Sequence, residues 1–209
     1  AQTNPTVGDL AGNSAQILEA ARAAAAQGAD LLATGEMALS GYPIEDLASR
    51  PSFLKAAHRA VRHLAKQLQD AGLGHLPVIV GHPDGPFEPR AIGTSNAPTA
   101  IAHNSASVLH HGHVKATYSK HHLPNYSVFD EYRVFIPGDE LLVVRVRDVD
   151  IAVVICEDLW RDGGPVARVL EADAGILLTI NASPFERDKD EVRLPLVTRR
   201  AVENDTIVA

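Results

Sequence analysis

The spacing of apolar residues along the chain changes period repeatedly, and each change marks an element. Ile17, Leu18, Ala21 and Ala25 recur at three- and four-residue intervals, which predicts a helix capped by Asn13 or Ser14 and stopped at Gly28. Leu31-Leu32-Ala33-Thr34 is a continuous run that predicts a short buried strand ending just before Glu36. Leu54, Ala57, Val61, Leu64 and Leu68 share one face of a second helix over about residues 53–70. Residues 77–81 predict another buried strand, and the Pro-, Gly- and Asn-rich residues 82–98 a loop. Two hairpins follow: 107–109 with 114–118 around Gly112, and 141–146 with 151–155 through the charged turn 147–150. Residues 165–172 predict a helix, 175–180 a strand, and 189–204 a helix with Leu194, Val197 and Ala201 on one face.

Helices and buried strands thus alternate at both ends, with antiparallel hairpins between them. That pattern belongs to an α/β chain with mixed sheet, and no repeat, low-complexity tract or linker divides it. A chain of 209 residues, 45% hydrophobic and 22% charged, buries a core without disulfides or metals. A formal charge of −7 and the lack of a Lys/Arg cluster argue against a nucleic-acid partner. One cysteine forms no internal disulfide, no apolar run reaches bilayer length, and no signal-peptide pattern opens the chain. A cytoplasmic protein without membrane association is expected. The chain begins Ala1-Gln2-Thr3-Asn4-Pro5 and stops within Thr206-Ile207-Val208-Ala209. A longer parent, cut within a strand at each end, is therefore expected.

Cys156 closes the apolar run 151–155 and precedes Glu157-Asp158-Leu159-Trp160. A lone cysteine serves either as a small buried hydrophobe or as a nucleophile. A strand end opening into a polar turn is a rigid place from which to present a thiol, which attacks only as thiolate and needs a base or cation beside it. None of the ten histidines falls in a catalytic signature. The cluster His110-His111-x-His113 lies on a hairpin turn, where strand alternation would send His110 and His111 to opposite faces, so no metal site is expected. No GxGxxG or phosphate-binding loop points to direct nucleotide binding.

Three stretches carry the remaining chemistry: Gly35-Glu36-Met37 through Gly41-Tyr42-Pro43, Lys120 through Glu131, and Ile155-Cys156-Glu157-Asp158-Leu159-Trp160, each after a predicted strand. In this order they resemble the carbon–nitrogen hydrolase (nitrilase) superfamily. The runs GYPIEDL, KHHLPNYSVFDE, ICEDLW and NASPFERDKDEVR are similar, more narrowly, to the glutaminase domain of glutamine-dependent NAD synthetases.

The resemblance spans residues 1–209 and implies an αββα sandwich. It also implies Cys156 as nucleophile, Glu36 as general base and acid, and Lys120 as the cation at the oxyanion, assisted by a backbone N–H beside Cys156. Glu131 would orient Lys120 and the base. Tyr126 and Phe129 would flank the pocket, Ser183 and Lys189 would hold the amino-acid end of glutamine, and Glu157 would take its ammonium group. It further implies a homo-oligomer and a C-terminal synthetase domain, outside these residues, that uses ATP and Mg²⁺; glutamine hydrolysis itself would need no cofactor. Departures are Gly35, where the family usually has proline, Ser127, where it commonly has glycine, and the unusual connection over 82–104. The alternatives are a stand-alone amidase acting on another small amide, and a non-catalytic assembly scaffold, which the intact Glu36, Lys120 and Cys156 disfavour.

Overall fold

In the computed structural model, which describes residues 1–88, 90–91 and 99–209 (backbone alone at 90, 91 and 99), the first helix, α1, runs over Leu10–Ala26. It starts earlier than its apolar spacing predicts, because Asp9 caps it by accepting a hydrogen bond from Gly12 N. Asn13 and Ser14, the predicted caps, lie inside the helix. The Asn13 amide donates to Thr6 O and Leu39 O, tying the N-terminal segment to the loop beyond Glu36. After β1 (Leu32–Ala33), α2 (Pro51–Asp70) opens with proline at a position where a missing N–H costs nothing. Leu54, Ala57, Val61, Leu64 and Leu68 are all buried, as their spacing predicts.

β2 (Val78–Asp84) outruns its prediction: His82 and Pro83 stay in register with Ser105 and Asn104, so residues 82–84 are strand rather than loop. Further on, β3 (Arg90–Ala91) and β4 (Thr99–Ala100) pair as a two-stranded ladder. The rest of the predicted loop, residue 89 and residues 92–98, lies outside the described residues. The two predicted hairpins are β5 (His103–His110) with β6 (His113–Ser119), and β7 (Leu142–Val146) with β8 (Val149–Ile155).

After the short helix α3 (Glu157–Trp160), the predicted helix 165–172 shrinks to a 3₁₀ turn, Val166–Arg168. Val166 and Val169, three residues apart, both enter the core, which suits a repeat of three rather than 3.6. β9 (Ile176–Ile180), α4 (Asp190–Glu203) and β10 (Ile207–Val208) complete the fold.

The strands form two mixed four-stranded sheets, ordered β1-β2-β5-β6 and β10-β9-β8-β7. Each combines a parallel portion with one antiparallel hairpin edge. The two sheets share one buried cluster, which holds Ile79, Ala106, Val108 and Tyr118 of the first and Ala152–Ile155 with Leu177 of the second. Helices α1 and α2 cover the outer face of the first sheet through Ile17, Val61, Leu64 and Leu68, and α4 lies against the second through Val197. The layers therefore run α-β-β-α. Each buried Val, Leu or Ile contributes about 1.5–3 kcal/mol of transfer free energy. Among the described residues no helix is long and apolar enough to cross a membrane.

The histidine cluster differs from its expectation. His111 leaves the strand at φ 49°, so alternation does not apply, and its ring lies 4.0 Å from that of His110, centroid to centroid. Among the described residues no group of three or more His, Cys, Asp or Glu side chains is placed to hold a metal ion.

Candidate active site

Glu36, Lys120 and Cys156 stand where strands end, and each is held there by backbone bonds to a neighbouring segment. The Glu36 loop lies directly on β2 because residue 81 is glycine. A Cβ at Gly81 would collide with Gly35 O and come within 2.9 Å of Glu36 Cα. Lys120 follows β6; its N–H donates to Asn104 O and its carbonyl accepts from Gly138 N, both at 2.8 Å. Cys156 follows β8, and its N–H donates to Ile180 O at 3.0 Å.

The backbone of Cys156, at φ 46° and ψ −98°, turns the chain sharply from strand into α3. Such a sparsely populated conformation costs a non-glycine residue about 1–3 kcal/mol. The fully buried Asp158 braces this turn. Its carboxylate accepts from Ile155 N (3.2 Å) and the Tyr118 hydroxyl (2.6 Å) on one oxygen. The other oxygen accepts from His121 N (3.1 Å) and His122 N (2.7 Å). One side chain thus ties the nucleophile turn to the segment just past Lys120.

Inside the site Lys120 Nζ lies 2.8 Å from Glu36 Oε1 and 2.8 Å from Glu131 Oε2, with all three side chains buried. The approach to Glu131 Oε2 is a charge contact without hydrogen-bond alignment. Asn104 Nδ2 donates to Glu36 Oε1 (2.7 Å) and Glu131 Oε1 (3.3 Å). Ala182 N donates to Glu36 Oε2 (3.0 Å), and the Tyr42 hydroxyl to Glu131 Oε1 (2.9 Å). Burial by itself would lower the Lys120 pKa, yet the charges of Glu36 and Glu131 outweigh it and hold the amine as ammonium. Burial, opposed by Lys120 and reinforced by Glu36, pushes Glu131 up to about 7. Burial and the negative charge of Glu36 push the Cys156 thiol up to about 12, so at neutral pH it is protonated. Such a thiol reacts only if a neighbour takes its proton as it attacks.

Of the predicted pocket residues, Ser183 is brought to the thiol, its Oγ 3.6 Å from Cys156 Sγ. Phe129 packs edge-on against Tyr126, ring centroids 5.7 Å apart. The Tyr126 hydroxyl donates to Glu157 Oε2 (2.7 Å), while Arg161 Nε donates to Glu157 Oε1 (2.7 Å), so both carboxylate oxygens of Glu157 already have partners. Lys189 is tied instead to Glu186, at 2.9 Å from both oxygens, with its Nζ 5.1 Å from the Trp160 ring centroid. A cavity of about 360 Å³ opens beside Ser183, lined also by Trp160, Asn181 and Arg193. Sequence reading passed over Asn104, Tyr42, Asp158 and the Ala182 N–H. A buried asparagine inside a strand, where its propensity is poor, was the one local signal. Ser127 has φ 54°, a conformation glycine adopts freely, so the position suits the glycine expected there and serine holds it at a backbone cost.

A family model described as carbon-nitrogen hydrolase matches residues 1–209. The chain is 35% identical to the glutamine-dependent NAD(+) synthetase of Thermotoga maritima, over 100% of its own length and 34% of that protein. Among solved structures, the glutamine-dependent NAD+ synthetase of Acinetobacter baumannii superposes with a TM-score of 0.83 at 29% identity, over 100% of this chain and 36% of that one. An amidase from Nesterenkonia sp. superposes with a TM-score of 0.79 at 25% identity, over 100% of this chain and 72% of that one. The chain spans about a third of the length of the curated relatives it matches.

Proposed function

This chain belongs to the carbon-nitrogen hydrolase family, and from that premise we propose that it hydrolyses glutamine to glutamate and ammonia through a cysteine thioester. The observation that carries the reading is the buried meeting of Lys120 with Glu36, 2.8 Å apart, beside a protonated Cys156. Glu36 takes the thiol proton as sulfur attacks the side-chain amide carbon. The oxyanion develops against the Lys120 ammonium and a backbone N–H. The Cys156 N–H is already bonded to Ile180 O, so that second donor is the N–H of Glu157. Losing one such donor commonly raises the barrier by about 2.7–4 kcal/mol. Glu36 returns its proton to the departing nitrogen, which leaves as ammonia. It then removes a proton from water as the oxygen attacks the thioester, releasing glutamate and restoring the thiol.

The substrate's ammonium would lie toward Glu157 and its carboxylate toward Ser183, Lys189 and Arg193, with Tyr126 and Phe129 closing the pocket. No cofactor takes part in this step. The names of the curated relatives support assigning the ammonia to NAD synthesis; we propose that it serves the ATP- and Mg²⁺-dependent amidation of nicotinic acid adenine dinucleotide in a synthetase domain C-terminal to these residues. The setting is cytoplasmic, and the protein self-associates.

In the protein joined to its synthetase, Cys156→Ala should abolish glutamine-dependent NAD formation while NAD formation from added ammonia persists. Equal loss with both nitrogen donors would overturn the assignment. The amidase reading, favoured by the 72% coverage of the Nesterenkonia chain, predicts instead turnover of small aliphatic amides and none of glutamine.

A further inference from the structure

Asn104 lies outside all three stretches that carry the family resemblance, yet its side chain touches two of the acids in the site. It is fully buried on β5, on the same face as Ala106 and Val108, and its carbonyl holds Lys120 N. One hydrogen of Nδ2 goes to Glu36 Oε1 at 2.7 Å and the other to Glu131 Oε1 at 3.3 Å. Its own Oδ1, although buried, makes no hydrogen bond to the protein. A buried polar atom left this way calls for a reason. Flipping the amide would turn its oxygen toward two carboxylate oxygens, so the acids hold the donors inward at the expense of the acceptor.

The remaining bonds of the two acids leave few places for a proton. Among the described residues Glu36 Oε1 accepts from Lys120 and Asn104, whereas Oε2 accepts only from Ala182 N. Glu131 Oε1 accepts from Tyr42 and Asn104, so a proton on Glu131 would have to sit on Oε2, facing the Lys120 ammonium 2.8 Å away. The titratable groups around the pair are Lys120, past β6, Tyr42, in the loop after Glu36, and Cys156, at the end of β8.

We propose that Asn104 is a positioning residue: its two donors reserve Glu36 Oε1 and Glu131 Oε1 as acceptors, so the thiol proton is received at Glu36 Oε2 and the carboxylate form of Glu131 is favoured against Lys120. This rests on the catalytic reading above, deepens it by one residue, and assigns the proton to one oxygen. Burial already pushes Glu131 up to about 7. Removing the Asn104 donor from the ionised Glu131 pushes it further the same way.

The test is the pH profile of Cys156 alkylation by iodoacetamide, followed by mass spectrometry of the modified peptide, in the protein and in its Asn104→Leu and Asn104→Asp variants. With the thiol itself pushed up to about 12, reactivity between pH 5 and 8 follows the ionisation of Glu131, which stands near 7 and shares Lys120 with the base. Leucine keeps the branched outline and deletes the donors; aspartate keeps the shape and adds a third acid. The acidic limb is expected to move up by about one pH unit in Asn104→Leu, a roughly tenfold loss of rate below the limb, and further in Asn104→Asp. Rates lowered by one factor at every pH, with the limb unmoved, would reduce Asn104 to a packing residue and overturn the proposal. Iodoacetamide replaces glutamine in this experiment. A protein that fails to hydrolyse glutamine but displays the shifted limb would sink the glutaminase reading and support the inference about Asn104.

Discussion

At Glu131 a carboxylate, a neighbouring carboxylate and one ammonium share a space almost without solvent. Burial disfavours its charge more than Lys120 favours it, and its pKa stands near 7 rather than at the ordinary 4.5. The consequence for stability has a definite sign. A carboxyl whose folded pKa is raised binds more protons in the native than in the unfolded state between these two values. Its contribution is therefore complete below about pH 4.5 and is lost as pH rises through 7. Glu131→Gln removes that dependence. Melting curves from pH 5 to 8 should find the parent protein losing ground to the variant, by on the order of 3 kcal/mol across the window. A difference that is flat with pH would mean that Glu131 ionises as an ordinary surface acid does.

The elements that carry the site are short, and their ends are coupled by side chains rather than by their own length. The four residues of α3 make little helix by themselves, and Cys156 occupies a strained turn at their head. Asp158 supplies the missing order by accepting four hydrogen bonds from β8, Tyr118 and the backbone past Lys120. Its acceptor also raises the Tyr118 pKa, after burial, which keeps the phenol a donor. Asparagine in its place has one oxygen where two are used, so at least one buried N–H loses its partner. Asp158→Asn is expected to cost about 2–3 kcal/mol in urea unfolding and to lower glutaminase kcat at least about tenfold by loosening Lys120 against Cys156. Tyr118→Phe, which removes a single bond, should cost about 1 kcal/mol. Equal effects of the two substitutions would argue against a shared brace.

Across the whole molecule the site draws on both sheets. Asn104 and the segment bearing Lys120 come from the first, Cys156 and Ala182 from the ends of strands in the second, so activity depends on how the sheets stack. Outside that stack α4 is covered on one side only. Val197 packs inward, whereas Leu194 and Val202 are 69% and 77% exposed, and Ile207 on the adjoining β10 is exposed as well. Self-association through this face would bury them, at an expected total above about 2,000 Å² for an obligate interface. Sedimentation velocity at micromolar concentration should find the parent protein larger than one chain, and Leu194→Glu combined with Val202→Glu should reduce it. A monomeric parent, or an assembly indifferent to these charges, would leave the face to the rest of the polypeptide.

The sequence by itself determined the helices and strands whose hydrophobic period is long and unbroken, α2 and β8 most clearly, because amphipathic spacing acts through neighbours along the chain. It also placed Glu36, Lys120 and Cys156 at strand ends, since each comes within two residues of the end of a predicted strand. What only the tertiary structure decided is which side chains those ends meet. Lys120 and Glu36 are 84 positions apart, and Asn104 reaches back 68 positions to Glu36. The register of β5 against β2 and β6 turns Asn104 inward, and the stacking of two sheets brings Ala182 to Glu36. The helix expected over 165–172 was lost for the same kind of reason: Val166 and Val169 follow the core that must be filled rather than the period of a free helix. Local periodicity says which residues share a face. Whose company they keep is decided by contacts between segments that the chain brings together only when it folds.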